Sequence, residues 1–187
     1  MRMVLLGPPG AGKGTQAARI CDRLGVPAIS TGDIFRANIK DQTELGREAQ
    51  RYTDAGNLVP DSVTNDMVRD RLSQPDTAEG FLLDGYPRNT AQVEELDRIL
   101  EASQVSLDVV LLLTADNDEL VTRLLGRARD QGRTDDTEDV IRHRLDVYDE
   151  QTAPVVDVYE QRGIVSRVDG LGSIDDVTER IMSVLPH

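Results

Sequence analysis

Tryptophan is absent from this chain, cysteine occurs once, and aromatic residues make up only 3% of it. A single cysteine, Cys21, excludes an internal disulfide and a cysteine-rich zinc site. The spacing of Ala17, Ile20, Cys21 and Leu24 makes it a core-facing helix residue. With so few rings, Leu, Val, Ile and Ala must build the core, and 39% hydrophobic residues suffice for that. No apolar run approaches the ~20 residues of a membrane helix. The stretch Met3–Leu6 is far too short for a signal peptide, so the chain reads as cytoplasmic. Lysine is nearly missing as well: the basic residues are 19 Arg and two Lys, Lys13 and Lys40. Histidine occurs twice, as His143 between two arginines and as the terminal His187, which leaves no evident catalytic imidazole. The net charge of −13 argues against general binding to nucleic acid or anionic membrane. Residues 1–30 are the exception, with four basic side chains and one acid.

What is present fits one domain of 187 residues. Short apolar runs predict strands over Arg2–Leu6, Val26–Ile29, Gly80–Asp84, Val109–Leu113 and Ile164–Val168. Helical periodicity predicts helices over Lys13–Leu24, Glu44–Ala55, Asp61–Ser73, Thr90–Ser103, Asp116–Arg129, Asp136–Arg162 (broken near Pro154) and Ser173–Leu185. The alternation implies a three-layer α/β fold with a parallel sheet. Two intervals depart from it. Residues 30–80 carry helices without a strand, and "ARDQGRTDD" at 128–136 is a polar, hinge-like stretch. Excursions of this kind from a sheet often become binding lids.

The segment "LLGPPGAGKGT" at 5–15 follows a strand and opens a helix. Glycines let the backbone curl until several N–H groups face one anion, and the helix start adds its positive dipole end. Lys13 would reach the outer phosphates of a nucleoside triphosphate. Gly14 stands where the usual phosphate loop has Ser or Thr, and Thr15 comes one later. A direct hydroxyl ligand for Mg²⁺ is therefore missing at that position.

"GPPGAGKGT" resembles the adenylate kinase family, as do "STGDIFR" at 30–36, "GNLVPD" at 56–61, "GFLLDGYPR" at 80–88 and "TAP" at 152–154. The resemblance covers essentially the whole chain. It implies a P-loop kinase fold with five parallel strands in the order 2-3-1-4-5. The core would comprise 1–29, 60–125 and 137–187, with an AMP-binding lobe at 30–59 and a short lid at 126–136. It further implies that Gly10, Ala11, Gly12, Lys13, Gly14, Thr15, Arg127 and backbone near Gly172 bind ATP. Thr31, Arg36, Asn57, Leu58, Val59, Gly85, Tyr86, Pro87, Arg88, Gln92, Arg133 and Arg144 would bind AMP. Lys13, Arg88, Arg123, Arg133 and Arg144 would compensate the charge of the transferring phosphoryl, and Mg²⁺ would be held through water by Asp84. Long-lid relatives carry an inserted hairpin and some bind zinc there; this chain has a short loop and no cysteine for it, so no zinc is expected.

Several of these residues also make chemical sense alone. Asp84 ends an apolar strand at the carboxyl edge where open α/β sheets bind ligands, though a strand-end turn Asp is the plain alternative. Guanidinium forks at 36 and 88 suit phosphate oxygens. Gln92 follows Arg88 by four residues and can both donate to and accept from an adenine edge; a solvated helix Gln is the alternative. Arg123 and Arg127 share one helix face, while Arg129 and Arg142 read as surface residues. The expected reaction is reversible phosphoryl transfer from ATP to AMP, giving two ADP, by a monomer with no nucleic-acid or membrane partner. A UMP/CMP kinase and a P-loop switch with slow hydrolysis are the competing readings. Gln92 and Thr31 speak against the first, and the acceptor-side motifs have no purpose in the second.

Overall fold

A computed structural model describes residues 1–131 and 137–186. In chain order the elements are β1 (Arg2–Leu6), α1 (Lys13–Leu24), β2 (Ala28–Ser30), α2 (Thr31–Lys40), α3 (Glu44–Thr53), α4 (Asp61–Leu72), β3 (Phe81–Asp84), α5 (Thr90–Ala102), β4 (Val109–Thr114), α6 (Asn117–Gln131), α7 (Glu138–Val147), α8 (Ala153–Gln161), β5 (Val165–Asp169) and α9 (Ile174–Val184). All strand pairs are parallel, in the order β2-β3-β1-β4-β5. This is the α/β P-loop kinase sheet expected from the resemblance.

Side chains on successive strand residues point to opposite faces, and the two cores divide accordingly. Met3, Leu5, Leu82, Leu111 and Leu113 pack with Ile20 and Cys21 of α1 and Ile181 of α9. Val4, Leu6, Leu83, Val110 and Leu112 pack on the other face with Leu96 of α5 and Val155 and Tyr159 of α8. Burial pushes the Cys21 thiol up to about 11, so it sits there as an inert core group.

Several boundaries differ from the periodicity reading, and three of them have structural consequences. β2 starts at Ala28, because the Val26 N–H donates to Cys21 O (3.2 Å) and closes the end of α1 around Gly25. The helical stretch expected over Asp136–Arg162, with a break near Pro154, is two helices joined by a π turn, Tyr148–Thr152, just before that proline; Pro154 itself lies in the first turn of α8, where its missing N–H costs nothing. α6 continues through residues 128–131, the first part of the hinge-like stretch. α2 was not among the periodic segments; the Ser30 hydroxyl caps it by accepting from Asp33 N (3.2 Å).

α2 and α3 rise from the carboxyl end of β2 and close over a small core of Phe35, Ala49 and Val59. Their contact depends on Gly46. A Cβ there would run into the backbone of Asn38 and Ile39, which cannot yield as a side-chain tip can. Gly46→Ala will therefore lower stability by about 2 kcal/mol or more in thermal unfolding.

Candidate functional site

The carboxyl ends of β1 and β3 lie side by side, with Leu5 in register with Asp84 and Ser30 of β2 on the other flank of Asp84. Three adjoining cavities open there. The largest, about 810 Å³, runs along the glycine loop past Gly10, Gly12, Lys13, Gly14 and Thr15, then past Asp84, Arg123, Arg127 and Ile174. The second, about 480 Å³, lies under α2 and α3, among Thr31, Phe35, Asn57, Leu58, Val59 and Gln92. A cleft of about 60 Å³ joins Lys13 and Pro87 to Tyr148 and Thr152. Arg36 lines the two large cavities; Gly85, Arg88 and Arg144 line all three.

Local structure explains why Arg88 stands at this junction. Gly85 has φ +82°, a turn that L side chains resist, and its carbonyl accepts from both the Thr31 hydroxyl (2.9 Å) and Arg88 Nε (2.8 Å). The Tyr86–Pro87 peptide is cis. The Arg88 N–H donates to Gln92 Oε1 (2.7 Å), and its carbonyl accepts from the Thr152 hydroxyl (2.8 Å). Both ends of the Arg88 backbone are thus fixed by side chains from α5 and from the π turn.

The charges are crowded. Burial pushes the Lys13 ammonium down to about 8, with Asp84 opposing and Arg88, Arg144 and Arg127 adding to the fall. Burial also brings Arg88 down to about 10, helped by Arg144 and opposed by Asp84. Asp84 is held above the usual carboxylate range by burial, with Lys13 and Arg88 pulling it back. A site that buries this many cations is organised for a polyanion, whose arrival relieves the repulsion. Lys13 Nζ meanwhile donates to the carbonyls of Gly7 (2.8 Å) and Pro8 (3.1 Å).

Among the described residues no group of three His, Cys, Asp or Glu side chains could hold a metal. Asp84 faces the loop as one carboxylate, its Oδ2 3.9 Å from where a Cβ on Gly14 would sit. That donor set fits a hard cation whose remaining ligands are phosphate and water oxygens.

Three expected site residues stand outside these cavity walls. Ala11 is in the core at 2% exposure. Tyr86 is fully buried, with its hydroxyl donating to Asn65 Oδ1 (2.8 Å), so its side chain anchors the turn beneath the site and does not face a ligand. Gly172 lies in the β5–α9 loop, held by Arg123 Nη1 on Gly170 O (3.2 Å) and by Arg180 Nη1 on Asp169 O (2.8 Å) and Leu171 O (2.6 Å). Asn57 lines its cavity, and its Oδ1 lies 2.6 Å from His143 Nε2 of α7. Arg133 lies outside the described residues. Sequence reasoning gave no role to Thr152, Asp61 or Asn89. The first two fall inside recognisable motifs, "TAP" and "GNLVPD", but only the folded geometry shows what they touch.

Comparison with known proteins agrees with this geometry. The sequence model of the family described as adenylate kinase matches residues 5–164. The chain is 86% identical to the adenylate kinase of Kocuria rhizophila over 184 residues, 98% of each chain. It is 65% identical to that of Pseudarthrobacter chlorophenolicus, over 98% of this chain and 96% of the relative, and 58% identical to that of Micrococcus luteus, over 98% and 90%. The chain therefore belongs to the adenylate kinase family and is a phosphotransferase.

Proposed function

We propose that the chain moves the terminal phosphoryl of ATP directly to AMP, giving two ADP, and that its cavities divide the work. ATP occupies the large cavity, its phosphates against the N–H groups of Gly10 to Thr15 and Lys13. AMP occupies the cavity under α2 and α3, its phosphate between Arg36 and Arg88 and its base toward Gln92. Arg88 and Arg144, which line both cavities, face the phosphoryl in transit. That sharing is the observation that carries the reading: two nucleotide-sized spaces meet at three guanidinium-bearing residues, Arg36, Arg88 and Arg144.

The acceptor is already an anion, so no general base is needed. Catalysis rests on alignment and on compensating charge. Lys13 and Arg127 hold the donor phosphates. Arg123 and the exposed Ile174, at 52%, also line the donor cavity and suit the flat faces of a base. Asp84 would hold magnesium through water, and the ion would supply further charge compensation on the donor oxygens. Arg133 would act from the lid over 126–136, which excludes water. The protein works as a cytoplasmic monomer: among the described residues its exposed large apolar side chains are scattered on α6 and α9, and no helix is long and apolar enough to cross a membrane.

Direct transfer requires both nucleotides bound at once. Initial rates over a grid of ATP and AMP concentrations will give intersecting reciprocal plots. Parallel plots, the mark of a phosphorylated-enzyme intermediate, would overturn the reading.

A further inference from the structure

Four hydrogen bonds around Gln92 form a network whose polarity is fixed at every link. The Asn89 side chain caps α5: its Oδ1 accepts from the Gln92 N–H (2.8 Å). A backbone N–H can only donate, so the Asn89 amide has one orientation, and its Nδ2 donates to Asp61 Oδ1 (2.9 Å). Gln92 is fixed in the same way. Its Oε1 accepts from the Arg88 N–H (2.7 Å), and its Nε2 donates to the same Asp61 oxygen (2.8 Å). Gln92 is 2% exposed, and both fixed links of its amide lie away from bulk solvent. A flipped amide would set NH₂ against the Arg88 N–H and a carbonyl oxygen against the Asp61 carboxylate.

We infer that Asp61 is a specificity-determining positioning residue: it locks the Gln92 amide against flipping and so makes the acceptor site select a 6-aminopurine monophosphate over a 6-oxopurine. A carboxamide has two N–H donors and two acceptor positions on oxygen. The network consumes one of each. One N–H and one lone pair of Gln92 remain, with fixed polarity, on a residue that lines the acceptor cavity. Adenine matches that polarity with N1 as acceptor and the 6-amino group as donor. Hypoxanthine inverts both, with N1–H as donor and O6 as acceptor. A free amide would turn over and greet either base equally. The locked one cannot, and a site that leaves buried polar groups mismatched rejects the wrong base strongly. Asp61 touches no nucleotide in this arrangement; it acts through Gln92.

The inference rests on AMP occupying the cavity under α2 and α3, and the test separates the two. With Mg-ATP as donor, kcat and KM are measured for AMP, purine riboside 5′-monophosphate (hydrogen at C6) and IMP, in the wild type and in Asp61→Asn. The wild type will follow the order AMP, then purine riboside monophosphate, then IMP. Its kcat/KM for AMP will exceed that for IMP by roughly 100-fold or more. Asp61→Asn keeps the shape but removes the carboxylate repulsion that a flipped amide would meet. It will narrow the AMP/IMP ratio by about tenfold, chiefly through the acceptor KM, with the ATP KM unchanged. A merely structural role would weaken all three acceptors alike. The inference is overturned if the wild type uses IMP as well as or better than purine riboside monophosphate, or if a folded Asp61→Asn keeps the wild-type ratio. The wild-type order decides even if the variant fails to fold. Failure of AMP itself as acceptor would instead sink the assignment of the cavity.

Discussion

Arg88→Ala will lower kcat by 10³-fold or more, while the KM for ATP changes little. The guanidinium is carried by a backbone fixed at both ends, by Gln92 and by Thr152, and its own Nε is tied to Gly85 O. It lines all three cavities, as Arg144 does, while Arg36 lines only the two large ones, so Arg88 is placed to reach both nucleotides. Burial, with Arg144 beside it, brings the guanidinium down to about 10, so holding this charge here is costly. Phosphates entering either cavity relieve that cost, most of all in the transition state, where charge spreads over the transferring oxygens. Arg88→Lys will recover less than a tenth of the lost turnover, because an ammonium has no planar fork to engage two oxygens at once. Steady-state rates against each substrate check both statements. Near-native turnover in Arg88→Ala would remove the charge clamp from the account.

Lys13→Met will lower kcat by about 10³-fold and will also change how stability depends on pH. In the folded, unliganded protein the Lys13 ammonium falls to about 8 from its ordinary 10.5, first because it is buried. Between those values the unfolded chain binds the proton and the folded one does not, so stability rises with pH across the window. Below about pH 8 both states are protonated, and the cost of burying the charge is fully present. The wild type will thus gain on the order of 2 kcal/mol from Lys13 as the pH climbs from 8 to 10.5. Lys13→Met will lack that component, and subtracting the two urea-unfolding series cancels the other titrating groups. A saturating polyphosphate will flatten the wild-type rise, because the bound anion restores the ammonium's proton. Identical pH dependence in the two proteins would mean that Lys13 is not held under this strain.

The sheet was legible because its strands are buried on both faces and read as nearly continuous apolar runs, "MVLL", "FLLD" and "VVLLL". The glycine loop was legible because it needs particular residues at fixed spacing. α2 escaped the periodicity reading because its apolar side chains do not share one core: Phe35 enters the small satellite core, Ile34 packs against a main sheet core, and most of the helix is polar. The π turn at Tyr148–Thr152 has no compositional mark of its own; Pro154 marked the break only from its far side, as the start of α8. In the site, the motifs supplied residue types but not their directions. Tyr86 lies in a nucleotide-binding motif and yet points into the core, since its ring satisfies the packing beneath the turn that its neighbours need. Asp61 and Asn89 look like ordinary helix-start residues in sequence. Their joint hold on Gln92 exists only once α4 and α5 pack side by side.

The central claim is that the space under α2 and α3 is an AMP site joined at Arg88 and Arg144 to an ATP site. The measurement that tests it most directly is ADP formation from Mg-ATP with AMP, CMP, UMP, GMP or water alone as acceptor. The account predicts rapid ADP formation with AMP and at least 100-fold less with each of the others. Equal turnover with CMP or UMP, or release of inorganic phosphate at the same rate with and without AMP, would contradict it.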